Sequence, residues 1–321
     1  NYKGADAQMA EEVFEPIGMM GPQIFGLPVD RQTLFSNHKE IYKKRVETRQ
    51  RKLIIKLSFL KPFLKKGEKI LLISTGYSPI NSPAQYATGF LFVYLKRSLL
   101  VFTNFRILHV PTTPGYKFKQ SISQILYVDC ESIALKGGTL VVRYAKLGGI
   151  EKFKSIGLSE RKKIKALMKR MPLSGIQSRL GRRSHLCPQC AHLLEAGKYS
   201  CNACQLKFKN KIAAYILALL FPGGGYFYTR HYLIGLLNAL VEVFLLGYFY
   251  LILKDVISKA ENRMTYLVAL GAIFVVVKLI SVIHSTHFID EFIPTKKKIQ
   301  TNLLATRPRP KKQKEKSKDR K

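Results

Sequence analysis

Two long apolar runs limit what this chain can become more than anything else in it. Tyr232 to Leu253 is 22 residues broken only by Asn238 and Glu242, and Tyr266 to Ser285 is broken only by Lys278 and His284. At about 1.5 Å of rise per residue, each is long enough to cross a hydrocarbon core of about 30 Å. Neither carries the polar stripe of a helix half-buried in a soluble core. A third stretch, Ile212 to Phe221, runs into Pro222-Gly223-Gly224-Gly225 and is short for a span, because Pro and Gly break the helix there. The reading is a membrane module over 210–285, with a half-inserted segment 212–228 and spans at 232–253 and 266–285. A shortened third span is the alternative.

Charge sets the expected orientation. The formal net charge is +34, yet 47% of the residues are hydrophobic, so this is no disordered basic chain. The excess sits in blocks at 37–69, 161–183 and 286–321, whereas the loop 254–265 is nearly neutral. The positive-inside rule then places both termini in the cytoplasm and requires an even number of crossings. Residues 1–36 form an acidic N-terminal segment without a sustained apolar core, so no secretory signal is expected there. Residues 286–321 read as a basic disordered tail. In it Lys296, Lys297, Lys298, Lys311 and Lys312 would contact an anionic lipid surface, at about 1 kcal/mol each.

Cysteine spacing gives the sharpest chemical signal. Cys187-Pro188-Gln189-Cys190 and Cys201-Asn202-Ala203-Cys204 put four of the five cysteines within 18 residues. Two such knuckles close a tetrahedron around structural Zn²⁺, giving a zinc ribbon over 183–209. Disulfides conflict with the cytoplasmic side. A redox Cys-x-x-Cys would not need a second copy. With four thiolates the shell is closed, so the site is scaffolding or a docking surface. Cys130 reads as a small buried side chain.

Between these features, residues 64–172 read as short strands punctuated by turns at Asn81-Ser82-Pro83, Pro111 to Gly115, Gly137-Gly138 and Gly148-Gly149, the pattern of an antiparallel sheet or barrel. A helix capped by Ser159 follows and ends before Pro172. Ahead of it, 37–63 is a basic amphipathic helix that either lies on a membrane or packs on the sheet. Thr103 reads as a turn hydrogen bond and Arg106 as a strand-edge charge.

Lys66-Gly67-Glu68-Lys69-Ile70-Leu71, the hairpin Leu100 to Leu108, the strand entry at Ile122 to Ile125 and the closing helix together resemble the bacterial PH-like and GRAM-like domains. Phe105 stands where that family commonly has Lys. The resemblance covers about a third of the chain. It implies a PH-like antiparallel β-barrel with a C-terminal helix, a binding module for anionic lipids or peptides, and a bacterial protein of the inner (cytoplasmic) membrane. Pro222 to Tyr228 similarly resembles the PGxGxxY turn of small bacterial membrane modules. No GK[ST] follows the three glycines, so a phosphate loop is excluded.

Glu242 and Lys278 fall at equal depth in an antiparallel hairpin, about 16–18 Å from its outer end by helical rise. Opposite charges there predict an intramembrane ion pair, since a lone charge is costly. Tyr226, Tyr228, Tyr232, Tyr248, Tyr250 and Tyr266 read as interfacial anchors, and His284 and His287 as interfacial polar residues. No catalytic constellation emerges, so an enzyme is not expected. The fold class is an α+β multidomain membrane protein: a PH-like domain, a zinc ribbon and a transmembrane helical hairpin. The expected function is a cytoplasm-facing membrane adaptor whose partners are anionic lipids and a protein. A membrane-tethered nucleic-acid binder and a transporter accessory subunit are the alternatives.

Overall fold

The computed structural model describes residues 23–79, 96–146, 148–173, 178, 181–259, 264–289 and 291–295. Residues 1–22, the turn at Asn81-Ser82-Pro83 and the tail lysines Lys296, Lys297, Lys298, Lys311 and Lys312 lie outside them.

The fold is mixed α+β. Strands β1 (Gln23–Ile24) and β2 (Leu27–Pro28) make a small hairpin, and α1 (Arg31–Phe35) starts at Asp30. The Asp30 carboxylate accepts from the Gln32 and Thr33 amides at 3.1 and 3.3 Å, satisfying donors that a helix start leaves open. Next come α2 (Lys44–Ile55), a 3₁₀ turn at Ser58–Phe63 and four strands: β3 (Ile70–Tyr77), β4 (Arg97–Thr103), β5 (Arg106–Pro111) and β6 (Ile122–Leu126). A second meander follows, β7 (Cys130–Lys136), β8 (Thr139–Tyr144) and β9 (Ile150–Phe153), closed by helix α3 (Leu158–Met168). Gly157 precedes that helix, and Ser159 lies in its first turn, bonded to Glu160 rather than capping.

Both faces of the β3–β6 meander are covered, which explains why its strands read as nearly continuous apolar runs. Along β4, Leu99 and Val101 point to one side with Val110, Leu53, Ile54, Leu57 and Leu60. Leu100 and Phe102 point to the other, with Phe153, Val142 and Ile164. This is the two-residue alternation of a strand between two apolar layers. The expected amphipathic helix is therefore shorter than 37–63, and its apolar face packs on the sheet. Gln50, inside α2, bonds both the Ile73 amide (3.0 Å) and the Ile73 carbonyl (2.9 Å). It thereby covers part of the outer edge of β3, which would otherwise be open to pairing.

Arg106 departs from its expected place. It is not a strand-edge charge but is 1% exposed, held by Glu68 at 2.9 and 2.8 Å and by the Phe63 carbonyl at 2.6 Å. Thr103 does make the expected turn contacts, accepting from the Phe105 and Arg106 amides at 3.2 and 3.0 Å. The Glu68 carboxylate meets the flat guanidinium with both oxygens, a geometry that makes a buried pair tolerable.

The resemblance led to the expectation of a barrel, but the sheets of the described residues do not close into one. Strands β10 (Ser184–Leu186) and β11 (Leu193–Leu194), from the cysteine-rich segment, extend the first sheet to the order β11-β10-β6-β5-β4-β3. The second sheet, β7-β8-β9, shares an apolar core with the first, and an isolated backbone bridge, Tyr77 to Lys154, lies between them. Pairing of Ser184 with Gln124, His185 with Ser123 and Leu186 with Ile122 uses the β6 edge. With that edge taken, β7 does not pair with β6.

Among the described residues four more helices follow: α4 (Lys211–Leu220), α5 (Gly224–Tyr228), α6 (Tyr232–Lys259) and α7 (Met264–Ile289). By length and composition, two are apolar enough to cross a membrane, over Tyr232–Ile257 and Met264–Thr286. Only 11% and 17% of their apolar windows is buried among the described residues, unlike the core helix of a soluble protein.

Candidate metal centre and the helical bundle

The two cysteine knuckles are built alike. The Cys187 amide donates to the His192 carbonyl and the Cys201 amide to the Leu206 carbonyl, at 2.8 and 2.9 Å. The Ala191 and Gln205 amides return to the Cys187 and Cys201 carbonyls, both at 2.9 Å. Ala191 and Gln205 sit in the left-handed region at φ 58° and 59°, each turning the chain just after a Cys-x-x-Cys. The result is four sulfurs within 4.8 Å of one another. Cys187–Cys204 and Cys190–Cys201 are separated by 3.5 and 3.6 Å. Tetrahedral ligands at about 2.3 Å from zinc stand about 3.8 Å apart, so the cluster fits such an ion. Among the described residues this is the group of three or more Cys, His, Asp or Glu able to hold a metal ion. Cys130 is apart from it, fully buried, its thiol pushed up to about 12 by burial.

The ribbon is also joined to the last described residues of the chain. Phe208 pairs with Pro294, the Lys209 amide donates to the Ile293 carbonyl and the Thr295 amide to the Lys207 carbonyl, both at 2.9 Å. Phe292 packs edge-on against Phe208 at 5.5 Å. The segment entering the helical bundle and the segment leaving it therefore lie side by side as two antiparallel strands.

Within the bundle, α4 and α5 form a tight hairpin. The Asn210 amide, just before α4, donates to the Tyr228 hydroxyl at the end of α5, at 3.0 Å, and the Lys209 ammonium donates to the Tyr228 carbonyl. The chain thus returns to the side from which it started. Gly223 makes this possible: its φ is +65°, and a Cβ there would overlap the Gly235 carbonyl oxygen. Gly225 packs against Ser285 and Ala218 equally closely. Gly223→Ala is expected to lower bundle stability by about 2–4 kcal/mol, from overpacking plus a strained left-handed residue. Thermal melts in detergent beside Gly247→Ala, where nothing lies within 4 Å of the added methyl, would check this.

Glu242 and Lys278 meet. Lys278 Nζ lies 2.7 Å from Glu242 Oε2, and Glu242 is fully buried. Lys278 also donates to the Ala218 carbonyl at 3.1 Å and approaches the Phe221 carbonyl at 3.5 Å. Those oxygens belong to the carboxyl end of α4, where helical carbonyls lack intrahelical partners and carry partial negative charge. One ammonium thus ties three helices together, and Asn238 adds a bond to Glu242. Of the expected tyrosine anchors, Tyr232, Tyr248, Tyr250 and Tyr266 are exposed, but Tyr226 is buried and bonded to His284. Tyr228 therefore fastens the α4–α5 hairpin and Tyr226 ties it to α7. His284, read as interfacial, is buried beside Tyr226.

At the junction with the sheets, Lys96 pairs with Glu291 at 2.9 Å and lies over the Phe288 ring. His231 stacks on Phe288 at 3.7 Å. Burial pushes the Glu291 carboxyl up, but Lys96 and Lys119 outweigh it and hold the group well below the ordinary carboxylate range. His231 is lowered to about 3 by burial and by Lys119 and Lys96. His109, fully buried between Ser78 and Ser123, is lowered by burial and Arg183. A lowered histidine contributes stability that is complete above its unfolded value, about pH 6.5, and lost as pH falls below it. Glu291 adds a loss of the same sign below about pH 4.3. The melting temperature is expected to fall from about pH 7 to about pH 5, with a shallower slope in His231→Gln.

Sequence reasoning missed the Lys96–Glu291 pair, the strand 293–295 and the addition of β10 to the sheet; no local pattern marks such distant pairings. No protein-family model matches the chain, and no curated protein or solved structure matches it.

Proposed function

We propose that the chain is a membrane-anchored binding or adaptor protein, with its sheets and cysteine ribbon held on one membrane face. The observation that carries this reading is the pairing of 207–209 with 293–295. Entry and exit strands bonded to each other support an even number of crossings, in this reading two, with 212–228 half-inserted. The basic flanks favour the cytoplasmic face of a bacterial inner membrane for both termini.

The ligand-binding surface in this reading is a PH-like domain. Its support is the order of elements: a four-strand meander, a three-strand meander and a terminal helix packed on the second sheet. The four cysteines would hold zinc in a closed shell that offers no position to a substrate, so the ion is structural. Lipid head groups or a protein partner are the expected ligands.

Reconstitution of the full chain in sealed vesicles tests the topology. Single reporter cysteines at Lys66 and Thr265 should be labelled from opposite sides by an impermeant reagent. Labelling of both from the same side would refute the two-span arrangement. Retention of nucleic acid, with no preference for anionic over neutral vesicles, would favour the tethered nucleic-acid binder.

A further inference from the structure

Between the β7–β8 turn and α3 lies a cleft of about 210 Å³, lined by Leu135, Gly137, Gly138, Arg161, Lys162 and Lys165. Three of its six lining residues are cations, and none is acidic. Glu160, the carboxylate adjacent in sequence, is turned away and bound to Arg49 at 2.8 Å. Among the described residues, none of the three cations has an acidic partner. By contrast Arg170 on the segment after α3 pairs with Glu40, and Arg183 with Glu151.

The cleft is also shaped. Arg161 Nε donates to the Ile156 carbonyl at 3.0 Å, which fixes the plane of its guanidinium. The facing wall is bare backbone: Gly137 and Gly138 have φ of +56° and +100°. A Cβ at Gly138 would overlap the Arg161 guanidinium, whereas nothing stands within 4 Å at Gly137. A side chain on the turn at Gly138 would displace the guanidinium from this position.

From this arrangement we infer that the cleft binds a phosphomonoester. Such a group carries a charge of about −1.5 to −2 at neutral pH and several strong acceptor oxygens. It matches an oriented guanidinium in a cleft lined also by two lysines better than a singly charged carboxylate does. The monoester is borne either by a soluble metabolite or by a lipid head group. The inference rests on the reading of the sheets as a ligand-binding unit, and it names the chemistry of one ligand.

The test uses the full chain. Glycerol 3-phosphate is titrated in neutral detergent. In parallel, nanodiscs of neutral lipid are doped with phosphatidic acid or, at matched charge, with the diester phosphatidylglycerol. A chain of net charge +34 attracts any anion, so Lys162→Gln/Lys165→Gln is compared with Lys39→Gln/Lys43→Gln, which removes the same charge elsewhere. Saturable binding of a monoester, weakened about tenfold or more by the first pair and unchanged by the second, is the expected result. Binding of glycerol 3-phosphate assigns a soluble ligand, and binding of phosphatidic acid alone assigns a head group. Equal loss in both double variants, or no saturable monoester binding in either format, overturns the inference. The vesicle labelling pattern is independent of that outcome, so the two failures are distinguishable.

Discussion

Purified without chelator, the protein is expected to carry one zinc ion per chain, and removing that ion should disorder more than the 18-residue cysteine window. Structural zinc sites of this kind contribute about 10–16 kcal/mol to the folding of their module, more than the whole stability of many domains. Without the metal, four thiols crowded within 4.8 Å have little besides a small apolar cluster of Leu194, Leu206 and Phe208 to hold them. The ribbon supplies β10 to the edge of β6 and pairs with 293–295. Loss of protection in hydrogen exchange is therefore expected across 184–209, and to a smaller degree in β6 and 293–295. Cys201→Ser should reproduce the effect of chelation. Two disulfides in the native protein, or unchanged protection after complete metal removal, would refute the assignment.

Lys278→Met should be the most damaging single change in the helical bundle, costing about 3–5 kcal/mol. It leaves the Glu242 carboxylate buried without its counter-charge. It also strips the donor from the Ala218 and Phe221 carbonyls, at the end of a helix that stops inside the bundle. Glu242→Gln should cost less, because Lys278 keeps those two carbonyls and Asn238 can still bond the new amide. Equal depth and opposite charge alone suggest that Glu242→Gln combined with Lys278→Met restores full stability. The structure changes that expectation to partial recovery, because the α4 carbonyls remain unserved in the double variant. Detergent melts of the two singles and the double form the cycle that measures the coupling. Additive effects would show that the pair is not a lock.

Much of this architecture is legible in the sequence wherever the signal is local. The apolar runs in α6 and α7, the two Cys-x-x-Cys knuckles and the turn-punctuated strands each lie within one window and need no partner for recognition. The depth of Glu242 and Lys278 could be compared because helical rise is constant along each run. Local reading erred where a side chain's fate depends on a distant segment. Arg106 follows a turn and looks like an edge charge until Glu68 and Phe63 enclose it. Tyr226 and Tyr228 have the composition of interfacial anchors, but the glycine-permitted hairpin turns them inward.

The sequence by itself determined which segments are apolar, which cysteines form a group and which strands alternate, because periodicity and spacing are fixed by covalent geometry. Only the tertiary structure decided that the cysteine ribbon is a continuation of the sheet, that the chain enters and leaves its apolar helices through one pair of strands, and that Lys278 serves three helices. Those outcomes are settled by competition among backbone donors and acceptors for partners far apart in the chain. An open strand edge or helix end takes the partner that reaches it, and no local pattern records which one that is.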